Sequence, residues 1–314
     1  MSQNRNTLLG IVIILLIVGI GLFYPRNQPT QEESTIKITS SFYPLTYLTE
    51  YIGGEKVEVT TLIPYNNDVH SWQPSISDIT ATEDSDIIIY LGAGLDHWMD
   101  EDILETINLE EKEIVEASHG IELASGDHTE EDEAEHDHDE GDPHLWISPY
   151  KAKMIAEKIY QAINTVDPDN SDYYQSNWEQ LESKLTNLDQ RYQTELEPAM
   201  GKTFFVTHSA YGYLAKRYGL EQHGVIGLTA DEQPSTNKIA EIVDMMIEEE
   251  SYVFYIDPVY SSDYAETLKD ELSTRTGKNV EILNLYLANG PVDDLDYLEQ
   301  LEANLENLKQ GLVN

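Results

Sequence analysis

The run from Ser171 to Glu197 contains neither glycine nor proline and sets Trp178, Leu181, Leu185, Leu188, Tyr192 and Leu196 on one helical stripe. Such a pattern predicts one continuous helix of about 40 Å at the usual rise per residue. Asp167-Pro168-Asp169-Asn170 is a helix-start signal and Pro198 to Gly201 a stop. A rod of that length holds whatever folds on either side of it at a fixed spacing, and it resists the wide hinge closure that a flexible linker allows.

The same kind of pattern lies on both sides of the rod. Before it, Ile36 to Thr39 and Val57 to Val59 alternate, and Asp86 to Leu91 reads as a buried strand ending at Gly92. Tyr43 to Ile52 is a helix stopped by Gly53-Gly54. After it, Thr203 to Thr207, Tyr252 to Ile256 and Val280 to Leu287 read as strands, Ala210 to Tyr218 as a helix closed by Gly219, and Asp294 to Gln310 as an amphipathic C-terminal helix. Repeated strand-helix-strand order predicts an α/β fold with mainly parallel sheets, in two Rossmann-like lobes bridged by one long rigid helix. The expected division is a leader and linker over 1–34, a first lobe over 35–166, the bridge over 167–201 and a second lobe over 202–314.

Composition narrows the partners. Acidic residues number 59 against 18 basic ones, a formal charge of −41, which argues against nucleic acid or any other phosphate-rich partner. The same balance gathers cations, and it also suits a protein kept hydrated in concentrated salt. There is no cysteine, so a transition-metal site must be built from His, Asp and Glu. Leu8 to Tyr24 is an apolar run preceded by Arg5 and followed by Pro25-Arg26, short for a bilayer span and long for the core of a signal peptide. It is read as an uncleaved anchor that leaves the remainder outside the cytoplasmic membrane. Gly126 to Gly141 holds His128, His136 and His138 among nine Asp and Glu residues with almost no apolar content, and reads as a mobile acidic loop able to collect metal loosely.

Three other histidines sit where loops lead into helices. His70 stands between the strand ending at Ile63 and the helix opened by Pro74 to Asp78. His144 stands just ahead of Pro149, and His208 directly follows the Thr203 to Thr207 strand. In open α/β sheets that edge is where ligands bind. Any one of them alone is most simply a turn residue satisfied by local hydrogen bonds. All three together predict a metal site between the lobes, with zinc favoured by neutral imidazole, copper and nickel as chemical competitors, and Mn²⁺ the poorer fit. His97 is a possible fourth participant, while His119 and His223 have no supporting context.

These residues resemble the metal-specific solute-binding proteins of ABC importers, cluster A-I, and among them the zinc-type members. The resemblance runs from about Ile36 to Leu308. It rests on Ser41-Phe42-Tyr43-Pro44, the His70 loop through Asp78, Gly92 to Asp96 with Trp98, Asp142-Pro143-His144-Leu145-Trp146, Thr207-His208 with Tyr211 and Tyr213-Leu214, and Gln233-Pro234-Ser235. It implies two α/β lobes bridged by a long helix, metal ligands at His70, His144 and His208, and an acidic His-rich loop before the second of them. A permease and an ATPase of an ABC importer are the implied partners, and the chain is expected to act as a monomer. Departures are visible. The positions nearest a carboxylate fourth ligand are Tyr286, Leu287 and Ala288, so water or Asp257 is left to complete the shell. Ser148 stands where the signature usually has Asp, a change read as a helix-cap exchange, and the lipid-bearing cysteine is replaced by the apolar segment. Two other classes are open to the same residues, a metal-dependent adhesin and an exported zinc hydrolase. The second lacks any H-E-x-x-H run.

Overall fold

The computed structural model describes residues 35–124, 141–227, 234–260 and 263–313. The apolar segment 8–24 and residues 126–140 of the acidic loop lie outside the described residues, as does Gln233.

Two four-stranded sheets, both wholly parallel, form the frame. The first comprises β1 (Ile36–Ser40), β2 (Val57–Thr61), β3 (Ile87–Tyr90) and β4 (Glu113–Glu116), in the order β2-β1-β3-β4. The second comprises β5 (Thr203–His208), β6 (Glu221–Ile226), β7 (Val253–Ile256) and β8 (Glu281–Asn284), in the order β6-β5-β7-β8. Chain order therefore reverses beside β1 in one sheet and beside β5 in the other, and the crevice outside the carboxyl ends of the strands there is the expected place for a ligand. β3 is buried at every position, as its unbroken Ile-Ile-Ile-Tyr run requires of a strand covered on both faces.

Helices α1 (Tyr43–Gly53), α2 (Ile76–Glu83) and α3 (Pro149–Val166) belong to the first lobe. The bridge is α4 (Ser171–Glu195), and α5 (Gly212–Tyr218), α6 (Thr236–Glu248), α7 (Asp263–Thr276) and α8 (Tyr297–Leu312) follow. α4 is a single helix of 25 residues, and every position of the expected stripe from Trp178 to Leu196 is buried. One apolar core runs from Ile38 and Ile88 through Leu181 and Leu185 to Phe204 and Leu301, so the lobes share packing instead of meeting at a wet cleft. A second cluster around Phe205, Phe254, Leu268 and Val243 fills the other face of the second sheet. Cross-lobe hydrogen bonds add to this: the Trp146 indole donates to the Leu287 carbonyl at 2.7 Å and the Tyr297 hydroxyl to the Trp146 carbonyl at 2.5 Å. None of the described helices is long and apolar enough to cross a membrane.

Candidate metal centre

Each of the three histidines is delivered by a different local device. His208 is the last residue of β5, paired in register with Ile226, so its place follows from the sheet itself. His144 heads the short turn Leu145–Ile147 that leads to α3. His70 lies in the loop between β2 and α2, where its backbone N–H donates to Asp68 Oδ1 at 2.9 Å.

These elements bring the three rings together. Centroids lie 5.3 Å apart for His70 and His144, 5.9 Å for His70 and His208, and 4.9 Å for His144 and His208. One nitrogen from each ring falls within 4.8 Å of the other two. Tetrahedral zinc with Zn–N bonds of about 2.0–2.1 Å needs its nitrogens about 3.3–3.4 Å apart, a contraction that small side-chain rotations supply. No other such group of His, Asp or Glu occurs among the described residues.

His144 carries the strongest sign of a ligand. It is 1% exposed, and its Nδ1 lies 2.8 Å from Asp142 Oδ1. With Asp142 ionised, Nδ1 bears the proton and Nε2 keeps its lone pair. That Nε2 is buried and has no hydrogen-bond partner among the described residues, an arrangement that costs stability unless something else fills the place. Burial pushes the His144 imidazole down to about 3, so the ring is neutral at physiological pH and its contact with Asp142 is a hydrogen bond, not an ion pair. Burial also pushes the Asp142 carboxyl up to about 7, against the His144 backbone N–H and the nearby His208 and His70. Gly212 packs closely here: a Cβ on it would lie 2.8 Å from Asp142 Oδ2.

The remaining residues singled out in the sequence are elsewhere. His97 is exposed and outside the group, His119 is a surface residue beside Glu116, and His223 stacks on Phe205 in β6. Asp257 does not join the group: its Oδ1 accepts the Val259 N–H at 2.7 Å and its Oδ2 the Leu287 N–H at 2.5 Å. Ser148 stands at the N-cap of α3 but makes no capping hydrogen bond, so the expected cap exchange is not what this hydroxyl performs. Asp142 as the residue that orients His144 escaped the sequence reading. Its only signal is the Asp-x-His spacing, which Asp68 and His70 repeat.

Comparison with known proteins identifies the family. The model of the family described as "ZnuA: Zinc-uptake complex component A periplasmic" matches residues 38–311. The high-affinity zinc uptake system protein ZnuA of Bacillus subtilis is 32% identical, over 95% of this chain and 94% of its own length. The zinc-binding lipoprotein AdcA of Streptococcus pneumoniae is 29% identical over 95% of this chain, which spans only 60% of that longer protein. A crystal structure of the Zn(II)-bound ZnuA-like domain of S. pneumoniae AdcA superposes with a TM-score of 0.74 at 26% identity, covering 90% of this chain and all, 100%, of that one. Two parallel-sheet lobes, a bridging helix and three converging histidines thus coincide with a match over nearly all the folded residues, and the chain belongs to the ZnuA family of zinc-uptake components.

Proposed function

We propose that this protein is the metal-capturing component of an extracytoplasmic zinc uptake system, holding one Zn²⁺ as cargo between His70, His144 and His208 and delivering it to the permease and ATPase of an ABC importer. The observation that carries the reading is the buried His144 Nε2, without a hydrogen-bond partner among the described residues, in a group of three imidazoles within 4.8 Å. Three neutral nitrogen donors suit zinc better than Mn²⁺, which prefers more carboxylate oxygen. Among the described residues the group includes no Asp or Glu, which leaves a water to complete the shell. The matched relatives are zinc-uptake and zinc-binding proteins, which supports reading the chain as a binder and not an enzyme. It works as a monomer tethered through residues 8–24, with lobe boundaries at 35–166 and 202–314, and the His-rich segment 126–141 collects further ions weakly.

Elemental analysis of the purified chain together with competition against a chromophoric chelator tests this. One tight zinc per chain is expected, preferred over Mn²⁺. His70→Ala, His144→Ala and His208→Ala should each weaken binding by orders of magnitude, and a variant that keeps the tight site removes that histidine from the shell.

A further inference from the structure

A cavity of about 210 Å³ lies apart from the three histidines, lined by Ser148, Tyr150 and Lys151 at the start of α3 and by Tyr213, Lys216 and Arg217 of α5, with residues 122–124 completing it. Three of the chain's 18 basic residues converge here, in a molecule of formal charge −41. Glu122 also lines the cavity, so the cations there outnumber the lining acids three to one.

The charges are unevenly matched. Arg217 is taken by Asp189, to which it donates two hydrogen bonds at 2.5 and 2.6 Å, and it stacks 3.7 Å from the Tyr150 ring centroid. Lys151 Nζ donates to the Glu122 carbonyl at 2.9 Å and stands 5.3 Å from the Tyr213 ring centroid. Burial pushes the Lys151 ammonium down; the Glu122 charge opposes this, and Lys216 and Arg217 push it further down. Lys216 is exposed, and no ion pair among the described residues reaches it.

A second observation points the same way. α3 is 18 residues long with Pro149 in its first turn, and the N–H groups of Tyr150 and Lys151 precede the first intrahelical hydrogen bond, which runs from Ala152 N–H to the Ser148 carbonyl. The side chain that should cap this turn is Ser148. It is fully buried at 0% exposure, yet its hydroxyl makes no cap and has no hydrogen-bond partner among the described residues.

We propose that this cavity binds a small oxyanion, a phosphate or carboxylate group, held by Lys216, Lys151, the Ser148 hydroxyl and the open first turn of α3. Ammonium groups, a hydroxyl donor and a positive helix end are the elements such anions select. The anion would sit across both lobes. Ser148 follows His144 by one helical turn of sequence, and the Tyr213 hydroxyl donates to the Asp142 carbonyl at 2.5 Å, so occupancy stiffens the segment that carries His144.

The test uses the metal-free full chain in detergent, titrated calorimetrically with inorganic phosphate and, separately, with succinate at constant ionic strength. A saturable 1:1 heat and a melting temperature that rises with either anion are expected. A response to phosphate alone assigns the site to a tetrahedral inorganic anion, and a response to succinate alone assigns it to an organic carboxylate. Lys216→Gln should weaken binding about tenfold with zinc affinity unchanged. Lys216→Glu and Ser148→Asp, which place the chain's own carboxylate at the cavity, should abolish it. Absence of a saturable heat from both anions overturns the proposal, as does undiminished binding in both Lys216→Glu and Ser148→Asp.

Discussion

Asp142 and Asp68 each stand two residues ahead of a histidine, and each accepts that histidine's backbone N–H at 2.9 Å. Asp142 also reaches the ring, at 2.8 Å from Nδ1. The Asp142 turn therefore holds both its loop and its imidazole. Removing a carboxylate that orients a ligand ordinarily costs about 10–100-fold in metal affinity, so Asp142→Ala should bind zinc more weakly by that factor in chelator competition while Asp68→Ala changes it less. Equal losses would mean that the backbone turn, not the ring contact, is what matters. A second buried acid sets a pH dependence. Burial pushes the Asp96 carboxyl up to about 6 although Ser41 and the Leu91 and Gly92 N–H groups pull it down. Its folded value lies above the ordinary 3.8, so folding favours the protonated form. That contribution to stability is complete below about pH 4 and is lost as pH rises through about 6. Asp96 should accordingly raise the melting temperature as pH falls from 7 to 5, while the neutral His144 acts in the opposite sense, and Asp96→Asn should remove the Asp96 contribution from the slope. That His70, His144 and His208 would converge was legible from where they stand relative to strands and helices. The contact of Asp142 with the His144 ring was not, because it depends on a side-chain approach that sequence spacing alone does not fix.

The bridging helix was the most legible element, since its period, start signal and stop signal agree, and it ends at Glu195 with Pro198 in the turn that follows. Its inward stripe is where stability is concentrated. Leu185 is fully buried in the core shared by both lobes, and Leu185→Ala should cost about 2–5 kcal/mol in urea unfolding, with the loss appearing in one transition because the two lobes share that core. Separate transitions for the lobes would contradict a shared core. Boundaries in the second lobe were harder to read, for identifiable reasons. The apolar run Val280 to Leu287 suggests a strand throughout, yet β8 stops at Asn284. Leu285 and Leu287 remain buried because the chain packs into the shared core, where the Leu287 carbonyl accepts the Trp146 indole. Burial by another lobe looks, in a sequence, like burial within a sheet. α8 starts at Tyr297 and not at Asp294, because Asp293 and Asp294 take positive φ of 55° and 63° and Asp296 forms the capping box with Glu299. Several acids in a row each resemble a cap, and backbone geometry decides among them. α5 likewise begins at Gly212 instead of Ala210, after the Tyr211 N–H donates to the Gln222 side chain at 2.9 Å.

At the scale of the whole molecule, the formal charge of −41 opposes its own compactness. Local networks offset part of this: Arg191 joins Glu195 and Glu306 at 3.0 and 2.8 Å, and Lys309 reaches Glu195 at 2.7 Å, tying α4 to α8. With only 18 cations such networks cannot reach most of the 59 acids, so the remainder repel one another through solvent. Near-physiological salt screens those contacts only beyond about 8 Å, and molar salt beyond about 3 Å. Melting temperature should therefore climb as KCl is raised from low to molar concentration. The same field draws a divalent cation toward the protein, and screening weakens that attraction too, so the rate of zinc association measured by stopped flow should fall over the same range. Surface hydration alone predicts the first trend without the second. A melting temperature that does not move with salt removes the self-repulsion argument, and an association rate that does not move removes the steering argument, since each follows from one consequence of the same charge.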